Sequence, residues 1–438
     1  MTRIQLLLGD LESQPLAGAL KGLPRCAEGR PLSALGSMNL SLLKGDLPLP
    51  VAVLKRSALN HNSAWMRSFV ERAGVSLCPH GKTTMAPQLF QMQFDDGAWG
   101  ITAATASHVR TYRRFGVPRI VLANQLIGRE NIALVFDELE ADAEFDFYIL
   151  VDSIAGLQEL QRAILDRPLS RPLQVLLEVG TAGGRTGVRT LEEGIQLGRA
   201  ICDAAPAIAL RGIETFEGVF GGEDHGRIEL AALSMMDMVA QLARLGCEEA
   251  WFAQGTVILS AGGSAFFDIA AQVLAAVPGS REMRVVLRSG CYLSHDSLHY
   301  ARMQARIRQR SGAMWGKGPG LRNALEVWAY VQSRPEPHRA ICAAGKRDLS
   351  HDVELPQPLW WFRPGLHDVP QDVASTLRVT ALNDQHAFVD SAAGPIEWSV
   401  GDLVGFGIAH PCTTFDKWPL LYLVDKNYRV TGGVKTHF

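Results

Sequence analysis

The sequence predicts a (β/α)8 barrel followed by an all-β domain, and three observations support this. Between about residues 51 and 290, short β-rich runs alternate with helix-like stretches of ten to twenty residues. The β-rich runs are continuously apolar, which is typical of parallel strands covered by helices on both faces. After about residue 296 the alternation stops, and short strands with turn signals follow. A doubly wound open sheet is the alternative, but no GxGxxG motif follows the first strand.

Eight β-rich runs remain when the first run, at 51–54, is set aside, and eight is the strand number of a closed barrel. These runs lie at 75–80, 100–105, 119–124, 147–152, 174–179, 211–216, 249–259 and 284–290. Between them, stretches such as 157–165 and 230–245 carry apolar residues at i, i+3 and i+4, which predicts helices. We therefore expect the barrel at residues 56–295, and a β domain built from residues 1–55 together with 296–438.

Charge and cysteine content exclude several classes of protein. The 438 residues include 43 Lys+Arg and 45 Asp+Glu, so the formal charge of −2 gives no general attraction to nucleic acid or to an acidic membrane. No stretch approaches the roughly 20 apolar residues needed to span a bilayer. The seven cysteines are odd in number and form no CxxC pair, which is typical of free thiols in a reducing cytoplasm. We expect a cytoplasmic protein that binds a small molecule.

The active site of a barrel lies at the C-terminal ends of its strands, so the residues after each strand are candidates. Lys82 follows the first barrel strand, within PHGKTT (79–84), and is expected to point into the barrel mouth. Partial desolvation there would lower the pKa of Lys82 and make its amine reactive towards carbonyl groups. A surface lysine on a βα loop is the alternative.

Glycine-rich segments follow three other barrel strands. Arg185 lies within GTAGGRTGV (180–188) and could hold an oxyanion. Gly262, Gly263 and Ser264 follow the seventh strand, where free amides can cradle a phosphate, and Arg288-Ser289-Gly290 ends the eighth. Barrels commonly bind phosphate between their last two βα loops. A lysine at one strand end and a phosphate cradle at two others are typical of a pyridoxal 5′-phosphate (PLP) site.

The predicted β domain contributes one further candidate, His410-Pro411-Cys412. An imidazole and a thiolate two residues apart at a strand end can bind the same ion, and this pair of donors favours zinc. Most HxC sequences arise by chance, which is the alternative. Two protein ligands would leave open positions for water or substrate, as in catalytic rather than structural zinc sites.

Taken together, these motifs resemble the fold-type III PLP enzymes, in the D-serine dehydratase and D-threonine aldolase branch that shares the alanine racemase barrel. The resemblance extends from about Val51 to the C-terminus. The motifs are PHGKTT (79–84), GGRTGV (183–188), AGGS (261–264), LRSGCYLSHD (287–296), AGKRDLSHD (344–352), LNDQH (382–386) and HPC (410–412).

The resemblance implies a role for each matching position. Lys82 would be the lysine that forms the Schiff base with PLP, and Arg185 would lie near the phenolic oxygen of the cofactor. Phe216 would stack on the pyridine ring, and His410 and Cys412 would bind zinc. The phosphate would lie on Gly262, Gly263, Ser264 and the backbone around Gly290 and Cys291. His80, Ser260 and Arg288 complete the predicted cofactor-binding set.

Two positions depart from the family pattern. The family motif usually reads HxKTH, but in this chain Thr84 replaces the second histidine. Arg288 resembles the racemase arginine that faces the pyridine nitrogen, and an arginine there would leave that nitrogen unprotonated because it does not give up its proton. Phosphate or carboxylate binding by Arg288 is the alternative. His351 and His386 are expected near the metal, whereas His225 is expected to be solvated.

The resemblance implies a dehydratase that converts D-3-hydroxy amino acids such as D-serine or D-threonine to 2-oxo acids and ammonia. The aldolases usually carry Asp at the position of Cys412, so this cysteine favours elimination. A metal-dependent D-threonine aldolase is the alternative. An amino acid racemase and a non-catalytic PLP-binding protein are two further alternatives. The family also implies a homodimer, in which Lys82 and the metal could come from different chains.

Overall fold

The computed structural model describes residues 4–219, 224–312 and 318–438. A short N-terminal helix, α1 (Gly9–Ser13), precedes strand β1 (Val51–Lys55), which runs directly into α2 (Arg56–Ala73). Helix α2 ends at Gly74, whose φ of 65° lies in the left-handed region that glycine adopts without strain. The chain then enters the first barrel strand.

Eight parallel strands of the described residues form one sheet, and helices follow most of them. The strands are β2 (Ser76–Leu77), β3 (Ile101–Ala103), β4 (Arg119–Gln125), β5 (Asp146–Val151), β6 (Leu173–Val179), β7 (Ile208–Thr215), β8 (Val257–Ala261) and β9 (Met283–Leu287). The helices are α3 (Pro87–Asp95), α4 (Ala106–Arg114), α5 (Arg129–Ala141), α6 (Ile154–Asp166), α7 (Leu191–Asp203), α8 (His225–Glu248), α9 (Phe267–Ala275) and α10 (His299–Ser311).

The sheet closes into a barrel. Its strand order is β2-β9-β8-β7-β6-β5-β4-β3, and the two end strands meet through backbone hydrogen bonds. The Trp99 amide donates to the Leu77 carbonyl (2.7 Å), and the Thr102 amide donates to the Pro79 carbonyl (2.9 Å). Buried side chains form one cluster on these strands, so the barrel is packed rather than open; they include Val121, Tyr148, Leu176, Ile258 and Val286. The predicted fold class is confirmed.

The second sheet contains ten strands of the described residues and carries the C-terminal part of the chain. Its strands after β1 are β10 (Leu325–Glu336), β11 (Arg339–Cys342), β12 (Gln357–Phe362), β13 (Gln371–Asp372), β14 (Leu377–Leu382), β15 (Ala387–Ser391), β16 (Leu403–Gly407), β17 (Leu420–Val424) and β18 (Val430–Lys435). Strand β1 pairs antiparallel with β10 and parallel with β17. The short helix α11 (Pro411–Phe415) follows β16.

Two elements beyond residue 296 differ from the sequence prediction. Strand β12 was not predicted, because Pro358 weakens its strand signal, and the ladder shifts register between Pro358 and Trp360. Helix α10 was not predicted either, because its one fully buried residue, Ile307, gives no apolar periodicity. Helix α10 contacts α9 although it lies after the predicted end of the barrel domain at residue 295. The domain boundaries themselves stay predictions.

Among the described helices, α8 is long and apolar enough to cross a membrane by length and composition alone. It contacts β7 and β8 of the barrel and buries Met236, Val239 and Leu242.

Candidate active site

A cavity of about 300 Å³ lies at the C-terminal ends of the barrel strands. Its wall combines residues from the barrel, from helix α10 and from the segment that precedes and begins α11. Ten of the predicted site residues line it: His80, Lys82, Phe216, Gly263, Ser264, Arg288, Gly290, Cys291, His410 and Cys412. The lysine and the His-x-Cys pair therefore meet within a single chain.

Lys82 lies in a single 3-10 turn, Gly81–Thr83, just beyond β2. Gly290 allows this turn to pack on the end of β9, because a Cβ at Gly290 would lie only 2.5 Å from Thr83 Oγ1. Burial lowers the pKa of Lys82, and although the Cys412 thiolate opposes this, the charge of Arg185 acts in the same direction. No ion pair of Lys82 occurs within the described ranges. A buried amine with a lowered pKa fits the predicted reaction with a carbonyl group, which stays a prediction.

The predicted phosphate cradle binds an anion from the chain itself. The amides of Gly262 and Gly263 donate to the two carboxylate oxygens of Glu217, at 3.2 Å and 2.5 Å. Gly262 has a φ of 84°, and a Cβ at Gly263 would lie 3.2 Å from Glu217 Oε1, so glycine opens the space that the carboxylate fills. The Glu217 carboxylate thus uses the two amides that were predicted to bind the phosphate. Because these amides already donate to two carboxyl oxygens, even though burial raises the pKa of Glu217, the residues fit a PLP phosphate.

Replacing Glu217 should strengthen PLP binding, because the cofactor phosphate must displace or lie beside this carboxylate. We expect Glu217→Gln to lower the PLP dissociation constant about 3- to 10-fold, because one of the charge-assisted hydrogen bonds to be displaced becomes neutral and the other is lost, as the side-chain NH2 cannot accept. A PLP titration of the apoprotein by absorbance measures this without turnover. Glu229→Gln, which removes another carboxylate of the cavity wall, is the matched control. Unchanged or weaker binding in Glu217→Gln would contradict the competition.

A buried ion pair lies beneath the cavity. Arg288, at the end of β9, donates through Nη2 to Glu214 Oε1 and to the Thr215 carbonyl (2.9 Å). Both side chains are almost fully buried. Burial raises the pKa of Glu214 to about 8, although the charge of Arg288 opposes this increase. Arg288 therefore binds a carboxylate of the protein and is fixed by strand β7, while its Nε has no partner within the described structure.

The His-x-Cys pair has the surroundings of a metal-binding pair. His410 Nδ1 lies 2.6 Å from Asp352 Oδ2, and Asp352 accepts a second hydrogen bond from Thr413 (2.7 Å). This contact leaves Nε2 of His410 available for a metal, and a carboxylate behind a histidine ligand is the usual arrangement at zinc sites. Burial would lower the pKa of His410, but Cys412 and Asp352 raise it to about 9. Cys412 donates to Thr83 Oγ1 (3.5 Å), next to Lys82.

Soft thiolate and borderline imidazole donors fit zinc. No group of three or more His, Cys, Asp or Glu side chains able to hold a metal occurs within the described part of the chain. The pair alone would leave coordination positions open. The predicted metal neighbour His351 instead contacts the Leu349 carbonyl (3.3 Å), and the adjacent Asp352 takes the role beside His410.

Three predicted cofactor-binding residues do not line the cavity: Arg185, Ser260 and Gly262, whose amide donates to Glu217. Arg185 is half-exposed, and its guanidinium lies 5.0 Å from the ring of Phe216. Ser260 is buried on β8, and its Oγ has no hydrogen-bond partner among the described residues. Their predicted roles stay predictions. Burial lowers the pKa of His80 well below its usual value, so this imidazole is neutral beside Lys82.

Helix α10 adds five wall residues that were not among the predicted site residues: His299, Tyr300, Met303, Arg306 and Arg310. Arg310 is fully paired, with two hydrogen bonds to Asp268 and one to Glu229. Arg306 differs, because its Nη1 donates to Nδ1 of His225 (2.5 Å) and no carboxylate partner is found in the described ranges. His225 is half-buried and lines the cavity, a position that the sequence did not predict for it.

Two family models match the chain. The model described as "Alanine racemase, N-terminal domain" matches residues 54–269, and the one described as "Putative serine dehydratase domain" matches residues 324–424. A D-threonine aldolase from Arthrobacter sp is 26% identical over 372 residues, which cover 84% of this chain and 86% of that protein. A D-threo-3-hydroxyaspartate dehydratase from Delftia sp. (strain HT23) is 28% identical over 207 residues, 47% of this chain and 50% of that one.

Solved structures share the fold. A D-threonine aldolase from Filomicrobium marinum superposes with a TM-score of 0.74 at 21% identity, covering 91% of this chain and 97% of that one. A variant of D-threo-3-hydroxyaspartate dehydratase with a cysteine replaced by alanine, described as its metal-free form, superposes with a TM-score of 0.68 at 19% identity, covering 91% and 99%. At these identities the structural similarity supports the fold alone.

Proposed function

We propose that this chain, which belongs to the fold-type III PLP enzymes of the D-serine dehydratase and D-threonine aldolase family, is a zinc-dependent dehydratase. Its substrates would be D-3-hydroxy amino acids, and its products 2-oxo acids and ammonia. The observation that carries the proposal is the meeting of Lys82 with His410 and Cys412 in one cavity. When bound, PLP withdraws electrons from the α-carbon of an attached amino acid, and zinc polarises a hydroxyl group.

Lys82 would hold the cofactor through its amine and, once freed by substrate, remove the α-proton. A base must lie within hydrogen-bond reach of its proton and have a pKa near the working pH. Burial moves the pKa of Lys82 down towards that range. The amides of Gly262 and Gly263 would bind the cofactor phosphate at the opposite side of the cavity, after Glu217 leaves them.

His410 and Cys412 would hold the zinc ion. Asp352 fixes the imidazole through Nδ1, which holds Nε2 towards the metal. The β-hydroxyl of a substrate could then occupy an open coordination position, where loss of hydroxide becomes easier. The metal-free form described for a cysteine variant of the D-threo-3-hydroxyaspartate dehydratase is consistent with a metal in that relative.

Metal removal tests the proposal directly. A chelator followed by dialysis should lower oxo acid formation from D-serine or D-3-hydroxyaspartate by more than about 100-fold, and added zinc should restore it. His410→Ala should lose both zinc content and activity. His351→Ala is the matched control, because this nearby histidine contacts its own loop carbonyl. Full activity in the metal-free protein would contradict zinc dependence.

Arg306, which has no carboxylate partner among the described residues and contacts only the neutral acceptors His225 and Met303, favours substrates with a second carboxylate. We expect Arg306→Gln to raise KM for D-3-hydroxyaspartate at least tenfold, because a charged hydrogen bond contributes about 1.5–3 kcal/mol. KM for D-serine, which has no side-chain carboxylate, should change less than about threefold. Steady-state kinetics on both substrates measures the difference. Equal increases would instead place Arg306 at the α-carboxylate that both substrates share.

A metal-dependent D-threonine aldolase is the second candidate function. The curated relatives matched over 84% of this chain are aldolases, acting on D-threonine or 3-hydroxy-D-aspartate. Cys412, at a position where the aldolases usually carry Asp, is the observation that favours elimination. That the protein is a homodimer in the cytoplasm stays a prediction. Lys82 and Cys412 of one chain line the same cavity, so a second chain is not needed to bring these two residues together.

A further inference from the structure

Two cysteines face each other inside the cavity. The Sγ atoms of Cys291 and Cys412 lie 3.7 Å apart. Cys291 follows the last barrel strand, β9, whereas Cys412 lies in helix α11, 121 residues further along the chain. The contact therefore joins the end of a barrel strand to the helix that follows β16 of the second sheet. Both residues line the cavity; Cys291 is buried and Cys412 is half-buried, so Cys412 is the more accessible of the two.

This pair is unlike the other cysteines. All seven are free thiols, and no other sulfur–sulfur contact occurs in the described ranges, which include all seven. Cys78 and Cys342 are buried and lie outside the cavity wall, while Cys26, Cys202 and Cys247 are separate surface or half-buried residues. A disulfide needs two sulfurs about 2.05 Å apart. Among the seven, only the sulfurs of Cys291 and Cys412 are in contact, at 3.7 Å.

We propose that Cys291 and Cys412 form a reversible disulfide when the metal-free enzyme meets hydrogen peroxide. The Cys412 sulfur attacks one peroxide oxygen, so an S–O bond forms, the O–O bond breaks and one water leaves. The Cys291 sulfur then attacks the Cys412 sulfur, so the S–S bond forms, the S–O bond breaks and a second water leaves. Two electrons pass from the sulfurs to peroxide, and the two thiol protons end in the two waters.

The disulfide has a defined consequence for the site. It removes the Cys412 sulfur from metal binding, a statement that rests on the proposed function. It also ties α11 to the end of β9 next to Thr83, which Cys412 contacts at 3.5 Å. Zinc binding and disulfide formation would compete for the Cys412 sulfur. Loss of the metal would therefore leave Cys412 free to be oxidised together with Cys291. A dithiol reductant would return the metal-binding form.

The test uses the full-length protein and reads the thiols, not turnover. Metal-stripped protein, treated with a small excess of peroxide and then denatured and alkylated, should show five reactive thiols instead of seven. Peptide mapping should find one cross-link, Cys291 to Cys412, that disappears on reduction. Cys291→Ser should lose the cross-link, whereas Cys247→Ser, a distant cysteine, should keep it. Seven remaining thiols, a different pair, or only unlinked oxidised cysteines would overturn the proposal.

A zinc-loaded sample separates this proposal from the proposed function. If Cys412 binds zinc, loading should slow cross-link formation at least tenfold, and oxidised protein should bind less zinc by elemental analysis. A cross-link that forms equally fast with and without zinc would support the disulfide proposal but reject Cys412 as a zinc ligand. Absence of the cross-link in a protein that loses activity on chelation would reject the disulfide alone.

Discussion

Lys82→Ala should abolish turnover of every D-3-hydroxy amino acid, with a loss of more than about 10⁴-fold, because one amine serves as cofactor attachment and as base. The cavity holds Lys82 without a carboxylate partner within the described structure, and burial lowers its pKa. Removal of the amine leaves the phosphate cradle at Gly262 and Gly263 in place. PLP should therefore still bind, but not covalently.

Two measurements separate this chemical loss from misfolding. The absorption band of PLP joined to a lysine amine should disappear in Lys82→Ala, and borohydride treatment of the unmodified protein should label Lys82 in peptide maps. Lys417→Ala, which removes a lysine outside the cavity, should keep both signals. A Lys82→Ala protein that retains the band, or a label on another lysine, would reject the assignment. Partial rescue by a small primary amine would support it.

Glu214→Ala should destabilise the folded protein by about 3–5 kcal/mol, because it leaves the buried Arg288 charge without its partner. An arginine does not lose its proton, so this variant has no way to neutralise the charge. Arg288→Met should cost less, because Glu214 can take up a proton instead. Denaturant unfolding of both variants, followed by circular dichroism, measures the difference.

The pH dependence gives the pair a second test. Glu214 is an acid whose pKa is raised in the folded protein, to about 8, because of burial. In Arg288→Met the folded state therefore holds a proton that the unfolded state releases near its ordinary pKa of about 4.3. The free energy of unfolding of Arg288→Met should be highest below about pH 4.3, the unfolded pKa. It should fall as the pH rises from there through the folded pKa of about 8. Equal stability losses in the two variants, at every pH, would contradict the ion-pair account.

The sequence was sufficient for features that depend on local pattern. Alternating apolar runs predicted the barrel, and the position after a strand end predicted that Lys82 and Gly263 share a site. Cys412 was joined to them only by the family resemblance, which left open whether it comes from the same chain. The periodicity failed at residues 249–259, where the predicted strand begins only at Val257. Gly255, with a φ of 105°, turns the chain just before that point, and this turn gave no clear signal beforehand.

The partners of the site residues could not be predicted, because they depend on contacts between distant segments. Asp352 is 58 residues from His410, and Glu214 is 74 residues from Arg288. Glu217 fills the phosphate cradle because the ends of β7 and β8 lie side by side. Only the pairing of these two strands in the folded protein brings them together. Arg306 reaches the cavity on a helix that the apolar pattern does not mark.

The ratio of ammonia to glycine released from D-3-hydroxy amino acids tests the central claim most directly. Elimination yields one ammonia and one 2-oxo acid for each substrate consumed, whereas retro-aldol cleavage yields glycine and an aldehyde. Zinc-loaded holoenzyme incubated with D-serine, D-threonine and D-3-hydroxyaspartate should release ammonia and no glycine, and the ammonia should disappear after chelation. Glycine as the main product, or no product from any of the three, would contradict the dehydratase assignment.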